Sequence, residues 1–449
     1  MKSKYTKAFI VVTTLFFMWG FITVLVDSLV PRLREMFDLS YSEALLVQFA
    51  FFIAYAVVSI PAGALLSNIG YKKGMLLGLT TMGIGCLLFI PAASMRLFPL
   101  FMLGYFILAS GITVLQVAAN PYVSVLGPEE TASSRLILSQ AFNSLGTTIA
   151  PIIGAIYILS DNIKSSDEIN ALNESGKLTY FASEASAIKT PFLVLASSLL
   201  LLAVLIALFK LPQIIRERSD WSGYATAISN KKLMLGALGI FVYVGAEVSI
   251  GTLLVNYFLE LNLVENIKSN SLMSSICEFV LGADYAKADN KGIVGAFVAF
   301  YWGGAMVGRF IGSALTRVIA PGKVLAFFGL GAITLILISL SSGGFVCMWS
   351  ILGVGLFNSI MFPTIFTIGI SELGDLKPQG SGILCTAIAG GAFIPWTFAK
   401  LVDLNGFHVA FILVILCYAY ILYYGWSNRN PKYDMAISES NLDLSLIHI

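Results

Sequence analysis

The chain has 449 residues, of which 57% are hydrophobic and 12% charged, with 27 Lys and Arg against 25 Asp and Glu. Soluble domains carry about 25% charged residues, so this composition excludes a water-soluble fold. A net charge of +2 gives no electrostatic footprint for nucleic acid, and the five cysteines have neither metal-ligand spacing nor the pattern of a disulfide framework.

Lys2, Lys4 and Lys7 precede an apolar run that outlasts a signal-peptide core of roughly 7–15 residues, so it reads as an uncleaved first span. A crossing needs about 20 mostly apolar residues. On that criterion twelve spans are predicted, at 8–30, 43–67, 74–94, 97–126, 134–158, 190–210, 233–259, 292–315, 323–341, 344–371, 379–401 and 406–427. The polar stretch 211–232 parts them six and six. The expected organisation is an N-terminal half at 1–212, a linker at 213–232, a C-terminal half at 233–430 and a tail at 431–449. Most basic residues fall on the side of the N-terminus, so both ends are expected to face the cytoplasm. Lys72 and Lys73, with Arg309 and Arg317 at the matching place in the second half, are the candidate gating residues. The last six residues, LSLIHI, match a translated sequencing adapter and are expected to be an artefact, leaving His408 as the native histidine.

Within the spans, polar side chains are few and grouped. Asp27 closes the first span, and a charge at bilayer depth costs about 2.5–3.5 kcal/mol, which marks it as functional. Span 4 has Gln116 and Asn120 one turn apart, hence on one face. Pro121 follows and, lacking an N–H, frees a backbone carbonyl around Val117. Span 5 has Gln140 and Asn143 on one face. Amides both donate and accept, which suits a neutral polyhydroxylated solute; the competing reading is that they tie helices together. Span 7 places Tyr243 and Glu247 one turn apart near mid-membrane, and span 10 does the same with Asn358 and Phe362. Trp302, with Trp19, Tyr122, Phe142 and Trp396, offers flat faces for a sugar ring. Cys86, Cys347, Cys385 and Cys417 lie in apolar helices and Cys277 in a polar loop. There is no P-loop, HExxH or G-x-S-x-G, so ATP-driven transport and these enzyme chemistries have no support. One buried carboxylate in each half points to a carrier that moves a solute together with a cation.

The two halves also resemble each other. GALLSNIGYKKGMLLGL at Gly63–Leu79 matches GSALTRVIAPGKVLAFFGL at Gly312–Leu330, and Pro121 and Pro151 match Pro363 and Pro395. Paired six-helix halves of this kind bind substrate near the midplane. The motifs FFMWGFITVLVD, LQVAANPYVSVLG, SRLILSQAFNSLGTTIAP, GIFVYVGAEVSIG, YWGGAMVGRFIGS, GLFNSIMFPTIF and QGSGILC resemble the fucose–galactose–glucose:proton symporter family of the major facilitator superfamily, most closely its bacterial glucose/galactose branch. The resemblance implies an all-α membrane protein of twelve transmembrane helices in two six-helix pseudo-repeats. It implies that Asp27 is the cation-linked aspartate and that Asn120, Gln140 and Asn143 line a polar cavity. Gln116 stands where fucose-type relatives have glutamate, and Glu247 where they have glutamine. Two positions depart from the family pattern: Val26 replaces an asparagine beside Asp27, and Ser67 replaces the acid of the loop after span 2.

The function expected is import of a neutral hexose, glucose or galactose, with H⁺ or Na⁺ by alternating access. Asp27 and Glu247 are expected to couple the cation; Gln116, Asn120, Gln140, Asn143, Asn358, Tyr243, Phe362 and Trp302 are expected to bind the sugar. Beyond the co-transported ion no cofactor or metal is expected. The partners expected are the monosaccharide, the cation and the lipid of a bacterial cytoplasmic membrane, with the monomer as working unit and no nucleic acid. The alternatives are another neutral sugar such as N-acetylglucosamine or fucose, drug efflux, or a channel or sensor without turnover.

Overall fold

The computed structural model describes residues 3–27, 41–157, 171–212, 221–282, 285 and 288–430. Among them the chain is helical, without strands: α1 (Ser3–Asp27), α2 (Tyr41–Met95), α3 (Phe98–Val125), α4 (Ala132–Tyr157), α5 (Glu174–Leu208), α6 (Ser222–Ser229), α7 (Lys231–Glu260), α8 (Leu263–Ser269), α9 (Ser271–Leu281), α10 (Asn290–Val318), α11 (Pro321–Ser341), α12 (Gly344–Asn358), α13 (Met361–Ile370), α14 (Lys377–Thr386) and α15 (Gly390–Ser427).

Nine continuous helical stretches among the described residues are long and apolar enough to cross a membrane. Two of them are double. The helix at 41–95 is broken at Gly70 (φ 82°, ψ 162°) and that at 390–427 at Gly406 (φ 76°, ψ 172°). These backbone angles are essentially restricted to glycine, so each glycine ends one span and starts the next where the expected boundaries lie. With α4, this is the twelve-span architecture in two six-helix pseudo-repeats.

Two expectations are corrected. Residues 260–291 are not a plain loop: they hold α8 and α9, and Cys277 sits buried on α9 with Sγ 3.6 Å from the Ile293 carbonyl. Span 10 is not one helix. It stops at Asn358 and restarts at Met361, because Pro363 cannot donate to the Ser359 carbonyl. The tail from 431 onward, with the six terminal residues, lies outside the described residues.

By internal contacts the chain forms two compact units. The first contains Met1–Gly127, Phe142–Leu233 and Ile370–Ala387; the second contains Pro128–Ala141, Met234–Gly369 and Ile388–Ile449. The start of α4 thus belongs with the second unit and α14 with the first. In the first unit α2 and α3 meet backbone to backbone: a Cβ at Gly111 would stand 2.5 Å from the Met82 nitrogen, and one at Gly85 2.6 Å from the Leu108 nitrogen. In the second, a Cβ at Gly355 would meet the Tyr301 carbonyl at 2.0 Å, which seats α12 directly on α10. Small residues let apolar helices approach closely where lipid offers no hydrophobic drive for association.

Candidate solute-binding and coupling site

The polar side chains of the first unit converge where α3 passes α2 and α14. Gln116 is buried and its Nε2 donates to the Tyr55 hydroxyl. One turn on, Asn120 is 0% exposed, and among the described residues neither its Nδ2 nor its Oδ1 has a nitrogen or oxygen partner. The Cys385 thiol of α14 lies beside it. Pro121 leaves the Val117 carbonyl without its helical donor, and the Ser381 hydroxyl of α14 donates to that oxygen at 2.8 Å. Asn143 does not join this group: its Nδ2 donates to the Phe16 carbonyl at 2.9 Å and ties α4 to α1. Asp27 is the last residue of α1, and its side chain lies outside the described residues. At the helix ends, Lys72 donates to the Ala207 carbonyl at 2.7 Å, and Lys73 is exposed.

The second unit holds a longer chain of hydrogen bonds. On α7 the buried Tyr243 lies one turn before the half-buried Glu247. The Tyr301 hydroxyl of α10 donates to the Glu247 carbonyl at 3.1 Å, and Asn358 Nδ2 donates to Tyr301 at 2.7 Å. Tyr418 of α15 donates to Asn358 Oδ1, also at 2.7 Å. Each amide atom of Asn358 thus has one partner, which is how a buried amide lowers its desolvation cost, and each keeps a second donor or lone pair. Arg309 lies two turns along α10 from Tyr301. Its Nε donates to the Ser359 carbonyl at 3.3 Å, the acceptor that Pro363 leaves open, and its Nη1 donates to the Gln140 carbonyl of α4 at 3.2 Å. Gln140 itself is buried. Phe362 packs against Phe366 at 5.8 Å. Trp302 is 46% exposed and sits edge-on to Tyr301 at 5.1 Å. Arg317 is exposed in the last turn of α10.

Tyr55, Tyr301, Tyr418 and Ser381 join these groups without having been singled out from sequence. Ser381 lies within a quoted motif, QGSGILC, and the tyrosines interrupt apolar runs. Neither signal says which helix the hydroxyl will meet. The arrangement sets a carboxyl, amides and hydroxyls within apolar helices, groups that can bond a polar solute. No cluster of His, Cys, Asp and Glu able to hold a metal occurs among the described residues.

A family model described as Major Facilitator Superfamily matches residues 8–395. The chain is 48% identical over 426 residues to a glucose/galactose transporter of Brucella abortus, covering 94% of each. It is 33% identical over 432 residues to the L-fucose-proton symporter of Escherichia coli, covering 93% of this chain and 92% of that one. Crystal structures of the E. coli fucose:proton symporter FucP, one in the outward conformation, match with a TM-score of 0.84 at 31% identity, over 96% of this chain and 100% of theirs.

Proposed function

The chain belongs to the Major Facilitator Superfamily, and from that premise we propose that it imports a neutral hexose, glucose or galactose, by symport with protons. The observation that carries this reading is the Glu247 network: a carboxyl residue on a membrane-spanning helix whose backbone carbonyl is tied through the Tyr301 hydroxyl to Asn358 and Tyr418. The names of the relatives, a glucose/galactose transporter and a proton symporter, support the substrate class and the ion.

In this reading Asp27 and Glu247 take up the proton. Neutralising a carboxylate removes the cost of carrying its charge through a closed, apolar state, so the loaded carrier crosses where the half-loaded one does not. Gln116, Asn120, Gln140 and Asn358 bond sugar hydroxyls, with Tyr243, Phe362 and Trp302 against the ring, while Asn143 holds α4 to α1 beside them. Lys72, Lys73, Arg309 and Arg317 act at the gates. The two six-helix halves, divided at 213–232, alternate access as a monomer in a bacterial cytoplasmic membrane with both termini inside.

Reconstitution into proteoliposomes tests it, with pH and Na⁺ gradients imposed separately. Labelled glucose or galactose should accumulate only under an inward proton gradient. Accumulation under the Na⁺ gradient alone would replace the ion, and competition by fucose or N-acetylglucosamine without competition by glucose would replace the sugar. Downhill flux insensitive to both gradients would make the protein a channel.

A further inference from the structure

In the second unit, α11 and α15 meet backbone to backbone and run in opposite directions. A Cβ at Gly425 would stand 2.6 Å from the Ala326 nitrogen, one at Gly329 would stand 3.1 Å from the Leu422 nitrogen, and one at Gly322 would strike the Asn428 carbonyl. The contact positions thus rise along α11 (Gly322, Ala326, Gly329) as they fall along α15 (Asn428, Gly425, Leu422). Each helical residue is turned about 100° from the one before it. In an antiparallel pair, the residues that follow the contact positions therefore turn to the same side. Here they are Lys323, Phe327 and Leu330 on α11, with Tyr423, Trp426 and Arg429 on α15. The apolar and aromatic four are each more than half exposed, Lys323 is exposed and Arg429 is half-buried.

These six residues flank one groove. Its walls are apolar and aromatic, and its two cations stand together at one end, where α11 begins and α15 stops. Arg429 is held in place there. Its guanidinium lies 4.7 Å from the Trp426 ring centre, and Nη1 donates to the Trp426 carbonyl at 2.9 Å. A guanidinium has five N–H donors, so most remain open to a ligand. Among the described residues neither Lys323 nor Arg429 is paired with an acid. Apolar walls that end in two such cations match a molecule with a long apolar body and an anionic head. A free anion would leave the walls unused, and a zwitterionic head would bring its own ammonium up to the two cations.

We propose that the groove between α11 and α15 is a site for one anionic phospholipid, its phosphate on Lys323 and Arg429 and an acyl chain along Phe327, Leu330 and Trp426. In the topology proposed above, the site belongs to the cytoplasmic leaflet. It uses none of the groups assigned to sugar or proton, so it stands whichever solute is carried. One cation comes from each helix, and a shared phosphate ties the two helix ends together through charge-assisted bonds.

The test gives the detergent-purified protein equal amounts of phosphatidylglycerol and phosphatidylcholine with matched chains, and counts bound lipid by native mass spectrometry. The parent should prefer phosphatidylglycerol by roughly thirtyfold, the effect of two cations beside an anionic headgroup. Lys323→Gln/Arg429→Gln should lose most of that preference, and Lys323→Arg/Arg429→Lys, which keeps both charges, should retain it. Lys268→Gln/Lys291→Gln removes two exposed charges elsewhere and should leave it unchanged. If the double glutamine variant does not fold, Lys323→Gln and Arg429→Gln should each reduce the preference by roughly fivefold.

Equal binding of the two lipids by the parent overturns the proposal, as does a preference that survives the glutamine changes or falls as far in the Lys268/Lys291 control. Loss of the preference on adding inorganic phosphate would make the occupant a free anion. A lipid-independent dimer abolished by Trp426→Ala would make the groove an interface between copies, and either result overturns the lipid site.

Discussion

The Ser381 hydroxyl donates at 2.8 Å to the Val117 carbonyl, the oxygen that Pro121 leaves without a helical partner. An inherently broken hydrogen bond in α3 thereby becomes a tie to α14, 264 residues away in sequence. The second half repeats the device with different chemistry, since the carbonyl opened by Pro363 takes the Arg309 guanidinium. Each proline creates an acceptor that only a neighbouring helix can satisfy, and a buried acceptor left unmade costs about 1–3 kcal/mol.

Ser381→Ala should therefore destabilise the purified protein by about 1–3 kcal/mol. Pro121→Ala restores an N–H for the Val117 carbonyl, so Ser381→Ala should cost clearly less in that background. Thermal unfolding of the four members of this cycle checks the coupling. Additive losses would show that Ser381 contributes through something other than Val117.

Asn120 behaves as a residue held for a use other than stability. It is 0% exposed and, among the described residues, both amide atoms lack a nitrogen or oxygen partner, an arrangement that costs about 1–3 kcal/mol. Asn120→Leu should raise the melting temperature of the sugar-free protein and abolish the further stabilisation produced by glucose or galactose. A variant melting below the parent would show that the amide is satisfied in the folded protein.

Gly70 and Gly406 should tolerate no side chain, although a Cβ would meet nothing within 4 Å at either. The obstacle is the backbone: φ of 82° or 76° with ψ near-extended strains every L-residue by about 1–3 kcal/mol. Alanine and asparagine should therefore be equally harmful, since asparagine's ease in the left-handed helical region does not reach these ψ values. Membrane expression and thermal stability of Gly406→Ala and Gly406→Asn check this; rescue by asparagine would contradict it.

Asp27→Asn and Glu247→Gln keep side-chain shape and remove the titratable group. Both should lose concentrative uptake by more than about tenfold while retaining sugar counterflow, because exchange needs no net proton movement. Paired uptake and counterflow assays in proteoliposomes decide it. Accumulation against a gradient by Asp27→Asn would reduce Asp27 to an interfacial acid.

Much of this protein was legible in its sequence because the governing physics is local. A bilayer demands about 20 apolar residues per crossing, so the spans stand out, including those separated by Gly70 and Gly406. Proline's missing N–H is covalent, and the opening of the Val117 carbonyl follows from Pro121 alone. Helical spacing put Tyr243 on the face of Glu247, one turn away on α7. What depended on distant helices was not legible. No periodicity says that Ser381 will meet Val117, that Tyr301 and Tyr418 will employ Asn358, or that Arg309 will reach the Gln140 carbonyl. The same held for Asn143, whose shared face with Gln140 did not disclose its bond to Phe16. Local chemistry decided which groups need partners and which face they occupy. Only the packing of helices decided which partners arrive, because that choice brings together residues far apart in sequence, 264 apart for Ser381 and Val117 and 169 apart for Arg309 and Gln140.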